Sequence, residues 1–119
     1  MTDVDQARSP DADLLARDPA LAEIVRRLVA ALHPERVYLF GSRARGDAGP
    51  NSDYDLLVLV DRPTEPLYRL AQKGFRVLRG VPAAVDVVVW DRHTFDSRLH
   101  LKASFPATVV REGRLLHAA

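Results

Sequence analysis

The chain has 119 residues, 17 basic and 16 acidic, with a formal net charge of +1 and no cysteine. That balance argues against a protein whose main task is coating nucleic acid, which needs a clear basic excess, and the absence of thiols excludes disulfides and thiolate metal sites. Hydrophobic residues make up 47%, enough for one small core, and no apolar run approaches the ~20 residues of a membrane span, so a cytoplasmic, single-domain protein is expected.

Residues 1–17 carry Asp3, Asp5, Asp11 and Asp13 with few large apolar residues and are expected to be a flexible leader, ending in a turn of helix near Leu14 and Leu15. The folded domain is expected over 18–119. Asp18-Pro19 is a helix start, with Asp as cap and Pro at the first helical position. Leu21, Ile24, Val25, Leu28, Val29 and Leu32 recur at helical spacing up to His33, where Pro34 ends the run. Val37 to Phe40 reads as a short buried strand. Gly46 to Ser52, with Gly49, Pro50 and Asn51, reads as a loop. Asp53 to Val60 is a second strand, and Leu67 to about Arg79 a helix broken by Gly80 and Pro82. Val85 to Trp90 is a third strand. Asp91 caps a helix expected to include Phe95, Leu99 and Leu101 and to be interrupted by Phe105-Pro106. A short helix over Ala107–Glu112 and an edge strand over Arg114–His117 close the chain. Alternating helices and strands give an α/β (α+β) fold, a sheet covered by helices.

The chemistry is concentrated between Gly41 and Asp55, GSRARGDAGPNSDYD. Strand side chains alternate faces, so Asp53 and Asp55 point one way and Tyr54 the other. Two like charges side by side repel, and a divalent cation removes the objection; magnesium is commonly held by one or two carboxylates plus substrate phosphates. Asp86 interrupts the otherwise apolar run Val85 to Trp90, so it must face a partner, a metal or an open cleft. If the third strand lies beside the second, three carboxylates converge, as a two-metal site for displacement at phosphorus requires. Gly41-Ser42 stands where a strand ends and a helical turn begins, a place that offers N–H groups to an anion. Arg43 and Arg45 stand ready to neutralise phosphate charge. Taken singly, each feature has an ordinary alternative: a Gly-Ser turn, a solvated strand edge, an Asp86–Arg ion pair, an exposed basic face. The combination is specific because these alternatives do not predict one another. No GxxxxGK is present, which excludes a P-loop, and His33, His93, His100 and His117 lack metal-ligand spacing.

Gly41-Ser42, ten intervening residues and Asp53-x-Asp55 resemble the signature of the nucleotidyltransferase superfamily that includes DNA polymerase β, and Asp86 matches its third carboxylate. Arg111-Glu112-Gly113 followed by an apolar run resembles the minimal nucleotidyltransferase (MNT) group. The resemblance runs from about Leu21 to His117. It implies a nucleotidyltransferase fold, a small mixed sheet flanked by helices. It further implies two Mg²⁺ ions and ATP as NTP donor, with Asp53, Asp55 and Asp86 as metal ligands and catalytic residues. Gly41 and Ser42 would contact the triphosphate, and Asp86 would help deprotonate the acceptor. It implies a partner as well, since such proteins are paired with helical HEPN toxins and transfer AMP to a toxin tyrosine. The 33 residues after Asp86 are neither strongly basic nor rich in aromatics, so the acceptor surface is expected from a partner protein. Transfer to a small molecule or RNA end, or an antitoxin acting by binding alone, are the alternatives; homo- and hetero-oligomers both stay open.

Overall fold

The computed structural model describes residues 9–119. Six helices and four strands follow the chain: α1 (Ala12–Arg17), α2 (Pro19–Leu32), β1 (Arg36–Phe40), α3 (Ser42–Arg45), β2 (Tyr54–Val60), α4 (Leu67–Val77), β3 (Val85–Asp91), α5 (Arg92–Ser97), α6 (Phe105–Glu112) and β4 (Arg114–Ala118). The strands form one mixed sheet in the order β3-β2-β1-β4. β1 is antiparallel to both β2 and β4, whereas β2 and β3 are parallel, joined by the crossover through α4.

The period-2 pattern of the strands divides the core in two. Val37, Leu39, Leu56, Val58, Val87, Val89 and Leu116 face α2 and α4. Tyr38, Leu57, Leu59 and Leu115 face the other way, onto Phe95 of α5 and Val109 of α6. β2 is almost wholly buried because both faces are covered, which is why its apolar body reads as a continuous run. α2 keeps the expected cap: the Asp18 carboxylate accepts from Leu21 N–H at 3.1 Å. Its buried Leu21, Ile24, Val25, Leu28 and Leu32 form one stripe. The Arg27 guanidinium ties α2 to the end of α4 by donating to the carbonyls of Val77 (3.2 Å) and Arg79 (2.9 Å).

Two boundaries differ from the sequence expectation. The helix begun by Asp91, whose carboxylate accepts from Thr94 N–H at 2.8 Å, stops at Ser97 and does not reach Leu101. Phe105-Pro106 starts α6 where an interruption was expected. The Ser104 hydroxyl caps Ala107 N–H at 3.2 Å, and Pro106 stands in the first turn, where it has no helical N–H partner to lose. Of the expected leader, residues 1–8 lie outside the described residues, and Ala12–Arg17 forms α1, with Leu14 and Leu15 packed against the core. Just before it, Asp11 N–H donates to Leu115 O at 2.8 Å, along the outer edge of β4. Among the described residues no helix is long and apolar enough to cross a membrane.

Candidate active site

Every residue of the expected site except Asp86 comes from β1, β2 and the turn between them. β1 ends at Phe40 and the chain enters Gly41 at φ +75°, ψ −159°, a conformation open to glycine and strained for other residues. Space makes the same demand. A Cβ on Gly41 would run into the carboxylate of Asp55. Gly41 is therefore the residue that lets Asp55 lie against the start of α3.

α3 is a single turn. The Gly41 carbonyl accepts from Ala44 N–H and Arg45 N–H, both at 3.1 Å, and no side chain caps the N-terminal end. Ser42 and Arg43 thus stand at the open, positive end of the turn, next to Asp55.

The parallel pairing settles where Asp86 goes. Asp55 and Asp86 are register partners, one row above Leu56 and Val87. The pairing begins at Tyr54, whose N–H donates to Ala84 O at 2.9 Å. Leu57, Leu59, Val88 and Trp90 belong to the α5/α6 side of the core, so Asp53, Asp55 and Asp86 share that face by alternation. The three carboxylates form a row at its upper margin, with Asp55 half-buried and Asp53 and Asp86 exposed. The Asp55 carboxyl is pushed above the usual carboxylate range, first by burial, then by the negative charges of Asp86 and Asp53, while Arg45 pulls it back down. Among the described residues, no three His, Asp or Glu side chains are gathered around one point as a metal cage. Asp53 and Asp55 follow one another along one chain segment, and Asp86 stands on the neighbouring strand, about 4.8 Å away by ordinary sheet spacing.

The arginines divide. Arg45 is half-exposed, paired loosely with Asp47 at 3.3 Å, and is the cation whose charge Asp55 feels. Arg43 is engaged elsewhere. Its Nε donates to Ser52 O at 2.8 Å and its Nη2 to Pro50 O at 3.4 Å. Its guanidinium lies 4.1 Å from the centre of the Tyr54 ring. The buried Tyr54 in turn donates its hydroxyl to Asp18 at 2.8 Å. Tyr54 and Asp18 were not legible as supports beside the carboxylate row: Asp18 reads as a cap. A Tyr between two Asp on a strand signals only a buried ring. Trp90 belongs to the core, packed on Phe95 and Phe105 with ring centres 6.3 and 5.6 Å away.

A separate polar cleft of about 430 Å³ runs between the N-terminal segment, α3 and β4, lined by Ser9, Asp11, Ala44 and Arg111 to Leu115. Its lining includes none of the three carboxylates. Gly113 forms part of its wall. A Cβ there would come within 2.5 Å of Val109 O and 2.8 Å of Leu39 O, so glycine is what lets the end of α6 lie against β1. That gives Arg111-Glu112-Gly113 a packing reason.

The nucleotidyltransferase domain family matches residues 19–114. A protein of Methanocaldococcus jannaschii assigned as a protein adenylyltransferase is 30% identical over 83 residues, which are 70% of this chain and 78% of that one. The crystal structure of a protein assigned as a nucleotidyltransferase from Sulfolobus solfataricus superposes with a TM-score of 0.57 at 29% identity, over 82% of this chain and 76% of that one. A toxin–antitoxin crystallised with AMP-PNP gives a TM-score of 0.50 at 25% identity, over 85% of this chain and 73% of that chain. The chain belongs to the nucleotidyltransferase domain family, and nucleotidyl transfer is its activity.

Proposed function

We propose that this protein, through a minimal nucleotidyltransferase domain over residues 18–119, transfers AMP from ATP to a hydroxyl of a partner protein. The favoured acceptor is a tyrosine of a HEPN-type toxin for which this chain is the antitoxin. The observation that carries the reading is the register of Asp55 with Asp86 beside Gly41: Asp55 abuts the open end of a helical turn, Asp86 is its partner across the strands, and Asp53 extends the row. Two relatives support the choice of acceptor, one assigned as a protein adenylyltransferase and one a toxin–antitoxin seen with AMP-PNP. The outer side of α4 adds to it, exposing Tyr68 and Phe75, 62% and 49% accessible, one above the other at i, i+7. Exposed aromatics of this kind suit a protein interface.

Asp53, Asp55 and Asp86 are hard oxygen donors of the kind that hold Mg²⁺, and Asp55 carries an electrostatic penalty that a cation relieves. Two Mg²⁺ ions held there would neutralise the triphosphate and the charge that develops as the α-phosphorus is attacked. The chain's own groups do the rest. The N–H groups of Ser42 and Arg43, the Ser42 hydroxyl and the Arg45 guanidinium orient the β- and γ-phosphates. Asp86, exposed near the start of β3, takes the proton of the acceptor hydroxyl. The acceptor oxygen bonds to the α-phosphorus as the bond to the bridging oxygen breaks, and pyrophosphate leaves with the electron pair.

Co-expression with a HEPN-type partner, then incubation with ATP and Mg²⁺, tests this by intact mass. The partner should gain one AMP, and Asp53→Ala should abolish the gain. A partner that is neutralised yet carries no added mass would overturn the catalytic reading.

A further inference from the structure

We propose that Arg43 is a positioning residue: it locks the loop that delivers Asp53 to the carboxylate row, and it does not bind the nucleotide. The proposal rests on the reading of Asp53 as a metal ligand given above.

The loop between α3 and β2 has few internal ties. Gly49 N–H donates to the Ser52 hydroxyl at 3.0 Å, and Ser52 N–H to Gly49 O at 3.2 Å. Such a turn holds its own shape and leaves its placement relative to the sheet undetermined. Arg43 supplies the placement. Its fork takes the carbonyls of Ser52 and Pro50 at 2.8 and 3.4 Å, and the first of these is the residue immediately before Asp53. The guanidinium plane is itself held, 4.1 Å over the Tyr54 ring. Tyr54 is 5% exposed and belongs to the core under α2. Its hydroxyl bonds to the Asp18 oxygen that is not capping α2: one carboxylate oxygen takes Leu21 N–H and the other takes the Tyr54 hydroxyl at 2.8 Å. A chain of contacts thus runs from the first turn of α2 through Tyr54 and Arg43 to the backbone of Ser52.

Direction decides against a phosphate role. Tyr54 faces the α2 side of the sheet, opposite to Asp53 and Asp55. The Arg43 guanidinium is stacked on that ring and gives its Nε–H and one Nη2–H to the two carbonyls, which holds it on the loop. Arg45, two positions on and half-exposed, has only the loose 3.3 Å pair with Asp47 to give up for a phosphate. The fork and the stacking both need arginine; lysine offers neither.

The test uses the full chain and AMP-PNP as probe, with binding followed by calorimetry over a series of Mg²⁺ concentrations. A support residue acts on the metal, since loss of groups that orient ligands weakens metal affinity about 10–100-fold. In Arg43→Ala and Arg43→Lys the half-saturating Mg²⁺ should rise about tenfold, while AMP-PNP affinity at saturating Mg²⁺ stays within about twofold of the wild type. Tyr54→Leu should reproduce that shift although its side chain cannot reach the nucleotide, the Arg43→Ala/Tyr54→Leu double variant should add little, and Tyr54→Phe, which keeps the ring but loses the Asp18 bond, should shift less than Tyr54→Leu. Arg45→Gln should instead weaken AMP-PNP at every Mg²⁺ concentration. If Arg43→Lys weakens AMP-PNP equally at all Mg²⁺ concentrations, or Tyr54→Leu leaves the Mg²⁺ dependence unchanged, the proposal is overturned and the site reading stands. If the wild type binds AMP-PNP with no dependence on Mg²⁺, the site reading falls and the proposal with it.

Discussion

The two faces of the sheet are made by the same strands to opposite ends. On the α2/α4 side, every inward position from Tyr54 to Val60 is apolar and covered. On the α5/α6 side the same alternation begins with two carboxylates, Asp53 and Asp55, before it reaches Leu57 and Leu59. The neighbouring strand repeats the arrangement with Asp86 before Val88 and Trp90. The first face is optimised for packing. The second stops being a core one row early, and carboxylates take the place of apolar side chains there. Moving one residue along β2, from Tyr54 to Asp55, crosses from one regime to the other.

Substitutions on the two faces should therefore separate activity from stability. The largest effect is expected at Asp55→Asn, which should cut nucleotidyl transfer by about a thousandfold or more, roughly 4 kcal/mol of transition-state stabilisation. The same change should raise the melting temperature. The folded-state pKa of Asp55 lies above its ordinary value, so the ionised form opposes folding at neutral pH. The gain in the Asn variant should be full at pH 7 and fade as the pH falls below the ordinary carboxylate range, where Asp55 is protonated both folded and unfolded. Melting curves of both proteins across pH check the sign; a variant less stable than wild type at pH 7 would break the comparison.

Leu28→Ala, on the packed face, should do the reverse. Leu28 is completely buried, and its truncation should cost about 3 kcal/mol in urea unfolding, with the nucleotide affinity of the remaining folded protein unchanged. Gly113→Ala comes next, at about 2 kcal/mol, because its Cβ meets two backbone carbonyls that cannot swing aside. The smallest effect is expected at Asp96→Ala. Arg36 is 5% exposed on the α5 side, bonded to Asp96 at 2.8 Å and stacked near Phe95. Asp96 is itself 30% exposed, so solvent offsets part of the loss, and about 1–2 kcal/mol is expected by chemical denaturation.

Much of this was legible in the sequence because the relevant signals are local. The cap at Asp18, the 3.6 period of α2 and the turn at Gly41-Ser42 each depend on a few neighbouring residues. The carboxylate row was readable in part: alternation gives Asp53 and Asp55 a common face, but only the crossover through α4 brings β3 alongside in register. Where the reading failed, long-range contacts or competing local signals were responsible. Pro106 reads as a breaker until the Ser104 cap makes it a first-turn residue. The stacking of Arg43 on Tyr54, which is itself bonded to Asp18 36 positions away, has no local signal at all.

On the proposed reading, Asp53, Asp55 and Asp86 jointly hold the two metal ions that carry the nucleotide. Titration of Mn²⁺ into the protein with AMP-PNP, read by electron paramagnetic resonance, tests it most directly. Two ions should bind per wild-type chain, and Asp55→Asn and Asp86→Asn should each lose at least one while remaining folded. Unchanged Mn²⁺ binding in both variants would contradict the claim.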